Sequence, residues 1–152
     1  MSTSQTPLHV NFILTDEEPQ DKQETLQILA DHAAKTDVLS KFKPKELFKR
    51  LEQREALGST GFGEGVAIPH CSIDNLDDFV LGVMITSKGV DFASIDGTPV
   101  QIFFLIIGPT EQRNRHIKIL SAISKMAKTP GAINNLLSKQ IGRASCRERV
   151  CH

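Results

Sequence analysis

The chain has 152 residues, 39% of them apolar and 24% charged, which is enough for one hydrophobic core and too short for two ordinary domains. Eighteen basic residues balance 18 acidic ones, so the formal charge is zero and nothing electrostatic recommends nucleic acid or an acidic membrane surface as a partner. No apolar run approaches the roughly 20 residues of a membrane span, residues 1–7 carry no secretory pattern, and three cysteines make no disulfide framework, so a single cytoplasmic domain is expected.

Residues 10–14 are a short apolar stretch suited to an edge strand. Residues 22–35 place Leu26, Leu29, Ala30 and Ala33 on one face, the spacing of an amphipathic helix. Pro44 suits the first turn of a second helix with Leu47, Phe48 and Leu51 inward, ending at Gly58. A glycine-rich passage follows, Gly58-Ser59-Thr60-Gly61-Phe62-Gly63-Glu64-Gly65, and runs into Val66-Ala67-Ile68-Pro69-His70.

Residues 79–85 and 100–107 are apolar almost throughout, as strands are in the middle of a sheet covered on both faces. Ser87-Lys88-Gly89 and Asp96-Gly97-Thr98-Pro99 read as turns between them. Residues 111–128 predict a third helix with Ile117, Leu120, Ile123 and Ala127 inward, and residues 130–137 a fourth. Helices at both ends with strands between them imply an α/β/α sandwich of three layers. Connections too short for helical crossovers make its sheet mixed.

Residues 141–152, IGRASCRERVCH, differ from the rest. They carry a net +2, leaving −2 for the preceding 140 residues, and show no periodicity. They resemble an in-frame translation of a sequencing adapter and are read as a non-native tail, the domain being residues 1–140. Cys146, Cys151 and His152 are accordingly not taken as metal ligands.

The glycine cluster is the most unusual local feature. Glycines allow backbone N–H groups to approach an anion, but no lysine lies between Lys49 and Lys88, and the Gly61, Gly63, Gly65 spacing is not that of a dinucleotide loop. A nucleotide site is excluded, and taken alone the cluster reads first as a structural turn. An isolated histidine is more often structural or merely exposed than catalytic. His70, however, follows Pro69, which fixes the local φ, and the nearby glycines, a context that describes a rigidly held imidazole beside exposed backbone donors. His116 on its own reads as a surface polar residue, and the 46-residue spacing between the two histidines is no metal signature. His9 and His32 have no supporting context. Arg54 offers permanently charged donors suited to phosphoryl oxygens just ahead of the glycines. Cys71 adjoins His70 but points to the opposite face of an extended chain, which argues against a Cys–His dyad.

The run REALGSTGFGEGVAIPH, Arg54 to His70, resembles the active-site signature of phosphotransferase-system enzyme IIA domains of the fructose–mannitol–nitrogen type. The resemblance continues through Gly89-Val90-Asp91-Phe92, Asp96-Gly97-Thr98-Pro99-Val100 and His116-Ile117-Lys118-Ile119-Leu120, covering about residues 8 to 138. It implies a mixed sheet of about five strands with helices on both faces. His70 matches the histidine that is phosphorylated, His116 the second active-site histidine, and Arg54 the arginine flanking the pocket. Thr60, Gly61, Gly63 and Gly65 become candidate phosphate-binding positions. Cys71 stands where relatives usually have glycine, and Phe62 where a smaller aliphatic is usual.

The implied function is phosphoryl carriage without cofactor or metal. Phosphate arrives at His70 from a histidine phosphocarrier protein (HPr or a nitrogen-branch equivalent) and leaves to an enzyme IIB. The alternative is a nitrogen-type regulatory module whose His70 phosphorylation controls binding to a transporter or kinase. Neither needs nucleic acid or insertion into a membrane.

Overall fold

A computed structural model describes residues 9–129 and 131. The elements follow the chain as β1 (Phe12–Leu14), α1 (Lys22–Ala33), α2 (Pro44–Ala56), β2 (Gly61–Gly63), β3 (Val66–Ala67), β4 (His70–Ile73), β5 (Val80–Val90), β6 (Val100–Pro109), a 3₁₀ turn (Thr110–Gln112) and α3 (Arg113–Lys128). The fourth helix expected at residues 130–137 and the tail at 141–152 lie outside the described residues.

The helices start where local chemistry directs. Asp21 caps α1, its carboxylate accepting from the Glu24 N–H at 2.8 Å, and Pro44 opens α2 while Glu46 accepts from the Lys43 N–H at 2.8 Å. The strands form one mixed sheet of six, in the order β1-β5-β6-β3-β2, with β4 also on β6. β5 and β6 run antiparallel in the middle, β1 is parallel to β5 at one edge, and β3 and β4 are parallel to β6 on its other side. The sixth strand, beyond the five expected, arises because the glycine passage and its sequel fold into three short strands.

Apolar residues on both faces of β5 and β6 divide between two cores. Phe103, Leu105 and Ile107 join Val80 and Met84 under Leu26, Leu29, Leu47 and Leu51 of α1 and α2. Ile102, Phe104 and Ile106 join Leu81, Val83 and Ile85 under Ile119, Ile123 and Ala127 of α3. Each fully buried aliphatic or aromatic side chain of this kind contributes about 2 kcal/mol. The three layers are therefore helices, sheet and helix, as expected.

Two local expectations are corrected. Residues 87–89 are not a free turn: they lie within β5, where the pairing register shifts between Ile85 and Val90 and the Thr86 hydroxyl donates to the Lys88 carbonyl at 2.6 Å. In α3 the inward row is His116, Ile119, Ile123 and Ala127, whereas Ile117 is 49% exposed. Ile123 and Ala127 are inward as expected, but in the first turns His116 and Ile119 take the places read for Ile117 and Leu120, which puts a histidine in the core row.

One feature of the sheet positions the site. Val66 faces Ile102 and His70 faces Ile106, so β3 and β4 keep one register along β6. They are a single extended run interrupted at Ile68 and Pro69. Pro69 has no N–H to give the ladder, but its carbonyl accepts from the Ile106 N–H at 3.0 Å and keeps the chain in place.

Candidate active site

The turn that delivers the chain into this run is a two-residue hairpin. Gly63 pairs with Val66, and the central residues Glu64 and Gly65 have φ of 61° and 77°, the positive values a type I′ turn requires. Asp96 holds the turn from outside: its carboxylate accepts from the Thr98 N–H at 2.9 Å and the Glu64 N–H at 3.1 Å. Those bonds keep the Asp96 carboxyl below the ordinary carboxylate range, Thr98 contributing most.

Along the extended run, alternate side chains go to opposite layers. Val66 and Ile68 face α3, and Ala67, Cys71 and Ile73 face the core of α1 and α2. His70 shares the face of Val66 and Ile68 and meets His116 of α3 there, with ring centroids 5.6 Å apart and planes at 66°. The opposed directions of His70 and Cys71 remove the Cys–His dyad, as the sequence implied. Burial pushes the Cys71 thiol up to about 12.

His70 is half-buried. Its Nδ1 lies 2.7 Å from the Ile68 carbonyl oxygen. A carbonyl only accepts, so this bond places the proton of the neutral ring on Nδ1 and leaves the lone pair on Nε2. Burial lowers the His70 pKa most, the Ile68 bond raises it, Arg54 lowers it and Glu55 raises it; the outcome lies below 6.5.

His116 is 6% exposed, and neither of its ring nitrogens has a hydrogen-bond partner. Its surroundings are rings: His70 on one side and Phe79 on another at 5.8 Å. Phe79 in turn lies beneath the Arg115 guanidinium, 5.3 Å from its centroid, and flat over Gly108, where a Cβ would collide with the ring. Burial pushes the His116 pKa down and the neighbouring His70 adds to the effect.

The other candidates are engaged in bonds of their own. Arg54 is at the end of α2, its Nη1 donating to the Gly58 carbonyl at 2.8 Å, and its influence on His70 is electrostatic. The Thr60 N–H and hydroxyl both donate to the Glu55 carboxylate, and the Gly61 N–H donates to the Ser59 hydroxyl at 2.9 Å. Gly63 and Gly65 form the hairpin end. The fold thus brings His70 and His116 into contact and ties the glycine passage to the same segment through the Ile68 N–H, which donates to the Thr60 carbonyl at 3.1 Å.

Three contributors escape a reading of composition. Glu55 is a buried carboxylate, Phe79 and Gly108 form the aromatic wall, and the Ile68 carbonyl sets the tautomer. Of these only Glu55 had a legible signal, since it falls four residues after Leu51 and eight after Leu47 on the inner face of α2. Among the described residues no group of three or more His, Cys, Asp or Glu side chains is arranged to hold a metal ion, and no helix is long and apolar enough to cross a membrane.

Residues 6–142 match the family described as phosphoenolpyruvate-dependent sugar phosphotransferase system, EIIA 2. A Pseudomonas aeruginosa protein named nitrogen regulatory protein is 35% identical over 105 residues, covering 69% of this chain and 67% of the relative. The crystal structure of nitrogen regulatory protein IIA-Ntr from Neisseria meningitidis superposes with a TM-score of 0.71 at 26% identity, covering 79% of this chain and 80% of that one. The Escherichia coli enzyme IIAMTL, solved in complex with phosphorylated enzyme IIBMTL, shares the fold with a TM-score of 0.63 at 16% identity, covering 88% of this chain and 98% of that one. Built around a paired His70 and His116 on a mixed α/β sandwich, the chain belongs to the type 2 enzyme IIA family, the EIIA components of the phosphoenolpyruvate-dependent sugar phosphotransferase system.

Proposed function

We propose that this protein carries a phosphoryl group on Nε2 of His70, taking it from a cytoplasmic histidine phosphocarrier protein and passing it to an enzyme IIB. The observation that carries the reading is the 2.7 Å bond between His70 Nδ1 and the Ile68 carbonyl. It prepares one ring nitrogen as a nucleophile and holds the proton on the other. In the forward step the Nε2 lone pair forms a bond to phosphorus as the donor's N–P bond breaks, and the electron pair of that bond returns to the donor imidazole. The proton stays on Nδ1, donated to the Ile68 carbonyl throughout, so no general base is needed.

The transferring group is a flat, loosely held PO3 unit whose charge lies on its three oxygens, so the protein's part is alignment and nearby donors. His116 supplies a donor within the same depression once it accepts a proton or turns its N–H outward. Its lack of any internal partner supports that role. Arg54 adds permanent positive charge that reaches His70 electrostatically. Thr60, Gly61, Gly63 and Gly65 serve the phosphoryl group by holding the segment that carries His70 at fixed depth. Incubation with phosphoenolpyruvate and the two upstream carriers labels the wild type, and His70→Ala abolishes the label. Labelling that survives in His70→Ala overturns the assignment.

A second reading, favoured by the 35% identity to a nitrogen regulatory protein, is that the phosphorylation state of His70 regulates a transporter or kinase. Phosphorylation adds close to two negative charges to a half-buried site, sufficient to change an interface. Capture of a transporter or kinase by only one phosphorylation state, with no transfer to any enzyme IIB, selects this reading over the carrier.

A further inference from the structure

Among the described residues Glu55 is the only carboxylate in the buried set, with its side chain 5% exposed. A buried carboxylate is costly unless its oxygens are fully engaged. Here Oε1 accepts from the Thr60 N–H at 3.0 Å and pairs with Lys22 Nζ at 2.8 Å, and Oε2 accepts the Thr60 hydroxyl. One side chain therefore grips both donors of a single residue, which fixes the position of Thr60 and its rotation. The Thr60 carbonyl then accepts from the Ile68 N–H at 3.1 Å, and the Ile68 carbonyl accepts from His70 Nδ1 at 2.7 Å. On the far side the Gly61 carbonyl accepts from the Ile95 N–H at 3.1 Å, and the Ser59 hydroxyl donates to the Phe92 carbonyl at 2.5 Å. The chain of bonds from Glu55 to the imidazole is continuous and has no exposed link other than the ring itself.

We propose that Glu55 is a positioning residue for His70, fixing through Thr60 and Ile68 the depth of the imidazole and the nitrogen that keeps its proton. This rests on the reading of His70 as the phosphoryl acceptor. An apolar residue at position 55 would pack in the same place, but it would leave both donors of Thr60 unpaired and the Ile68 carbonyl free to turn from the ring. The charge acts as well. The groups that act on His70 are Arg54 and Glu55 from α2 and His116 from α3; Glu55 favours the protonated ring and Arg54 disfavours it. Loss of the Glu55 charge leaves Arg54 unopposed.

Two conservative variants test the link, one losing the charge together with an acceptor oxygen, the other losing reach alone. Glu55→Gln keeps the length and loses the charge; Glu55→Asp keeps the charge and shortens the reach to Thr60. Nitrogen-15 NMR of the imidazoles reports the His70 tautomer and titration without any phosphoryl transfer, and single-turnover labelling reports the rate. In Glu55→Gln, His70 titrates at lower pH than in the wild type, the Nδ1–H tautomer is no longer the sole form, and transfer slows about tenfold. In Glu55→Asp the titration stays near wild type while the tautomer signal and the rate both fall. Folded Glu55→Gln with an unchanged tautomer, titration and rate overturns the proposal. If that variant does not fold, an unchanged tautomer and rate in Glu55→Asp overturns it. A wild type that takes no phosphate on His70 sinks the functional reading instead, and the NMR measurements still decide the link to Glu55.

Discussion

His70 and His116 meet nearly edge to face, 5.6 Å between centroids, but only one of them has a hydrogen-bonded nitrogen. His70 is fixed by Ile68; His116 is held by shape, between His70, Phe79 and the inner row of α3. A buried imidazole with two idle nitrogens is destabilising for the fold and valuable for a passing anion.

Replacing His116 with leucine therefore trades one against the other. His116→Leu removes two unpaired polar atoms and should raise stability by about 1 kcal/mol. Phosphoryl transfer to His70 should slow about 100-fold, since a donor to the transferring group is lost. Chemical denaturation and single-turnover labelling of the same sample measure both; a variant that is neither more stable nor slower contradicts this account of His116.

Gly108→Ala tests the aromatic wall from behind. The new methyl has no room beneath Phe79, so the ring must lift away and release His116. A stability loss of about 1–3 kcal/mol follows from overpacking. The His116 ring signals should move in an NMR spectrum while those of distant core residues such as Leu29 do not. An unperturbed His116 would show that Phe79 does not support it.

Acid should weaken the protein through the same pair. Both imidazoles have folded-state pKa values below the 6.5 of the unfolded chain, mainly because they are buried. The stability they contribute is complete above about pH 6.5 and is lost as pH falls below it, because the unfolded state then binds protons that the folded state still refuses. Melting temperature is expected to be flat above neutrality and to drop toward about pH 5, with a shallower drop in His116→Leu. For the same reason Nε2 of His70 remains an unprotonated nucleophile below pH 6.5, so the rate of phosphoryl uptake should hold its plateau into mildly acid solution.

Cys71 should be chemically quiet. With its thiol pushed up to about 12 by burial, almost none of it is thiolate at neutral pH. Iodoacetamide at pH 7.5 should leave the peptide containing Cys71 unmodified in the folded protein and alkylate it in denaturant. Rapid alkylation in the native state would mean that this face of the strand opens.

Long elements were legible because burial on a regular repeat leaves a periodic mark. The apolar row of α1 and the two-faced runs of β5 and β6 needed nothing beyond spacing. The start of α3 was not, since apolarity favours Ile117 over His116 as an inward residue, and the contact of His116 with His70 and Phe79 is invisible to spacing. The three short strands from Gly61 to Ile73 are two to four residues each, too short to express any period. The proposed role of His70 rests on the family motif. Its tautomer does not, because that depends on a carbonyl, and every residue has one.

The common register of β3 and β4 along β6 has an evolutionary and engineering corollary. Between Val66 and His70 the length of the segment matters as much as its residues. A single residue added or removed between Val66 and His70 would reverse the faces of the residues that follow, turning the imidazole toward the core under α1 and α2 and Cys71 toward α3. Insertions and deletions are therefore expected to fall outside residues 66–70, and a count of gaps across relatives checks this.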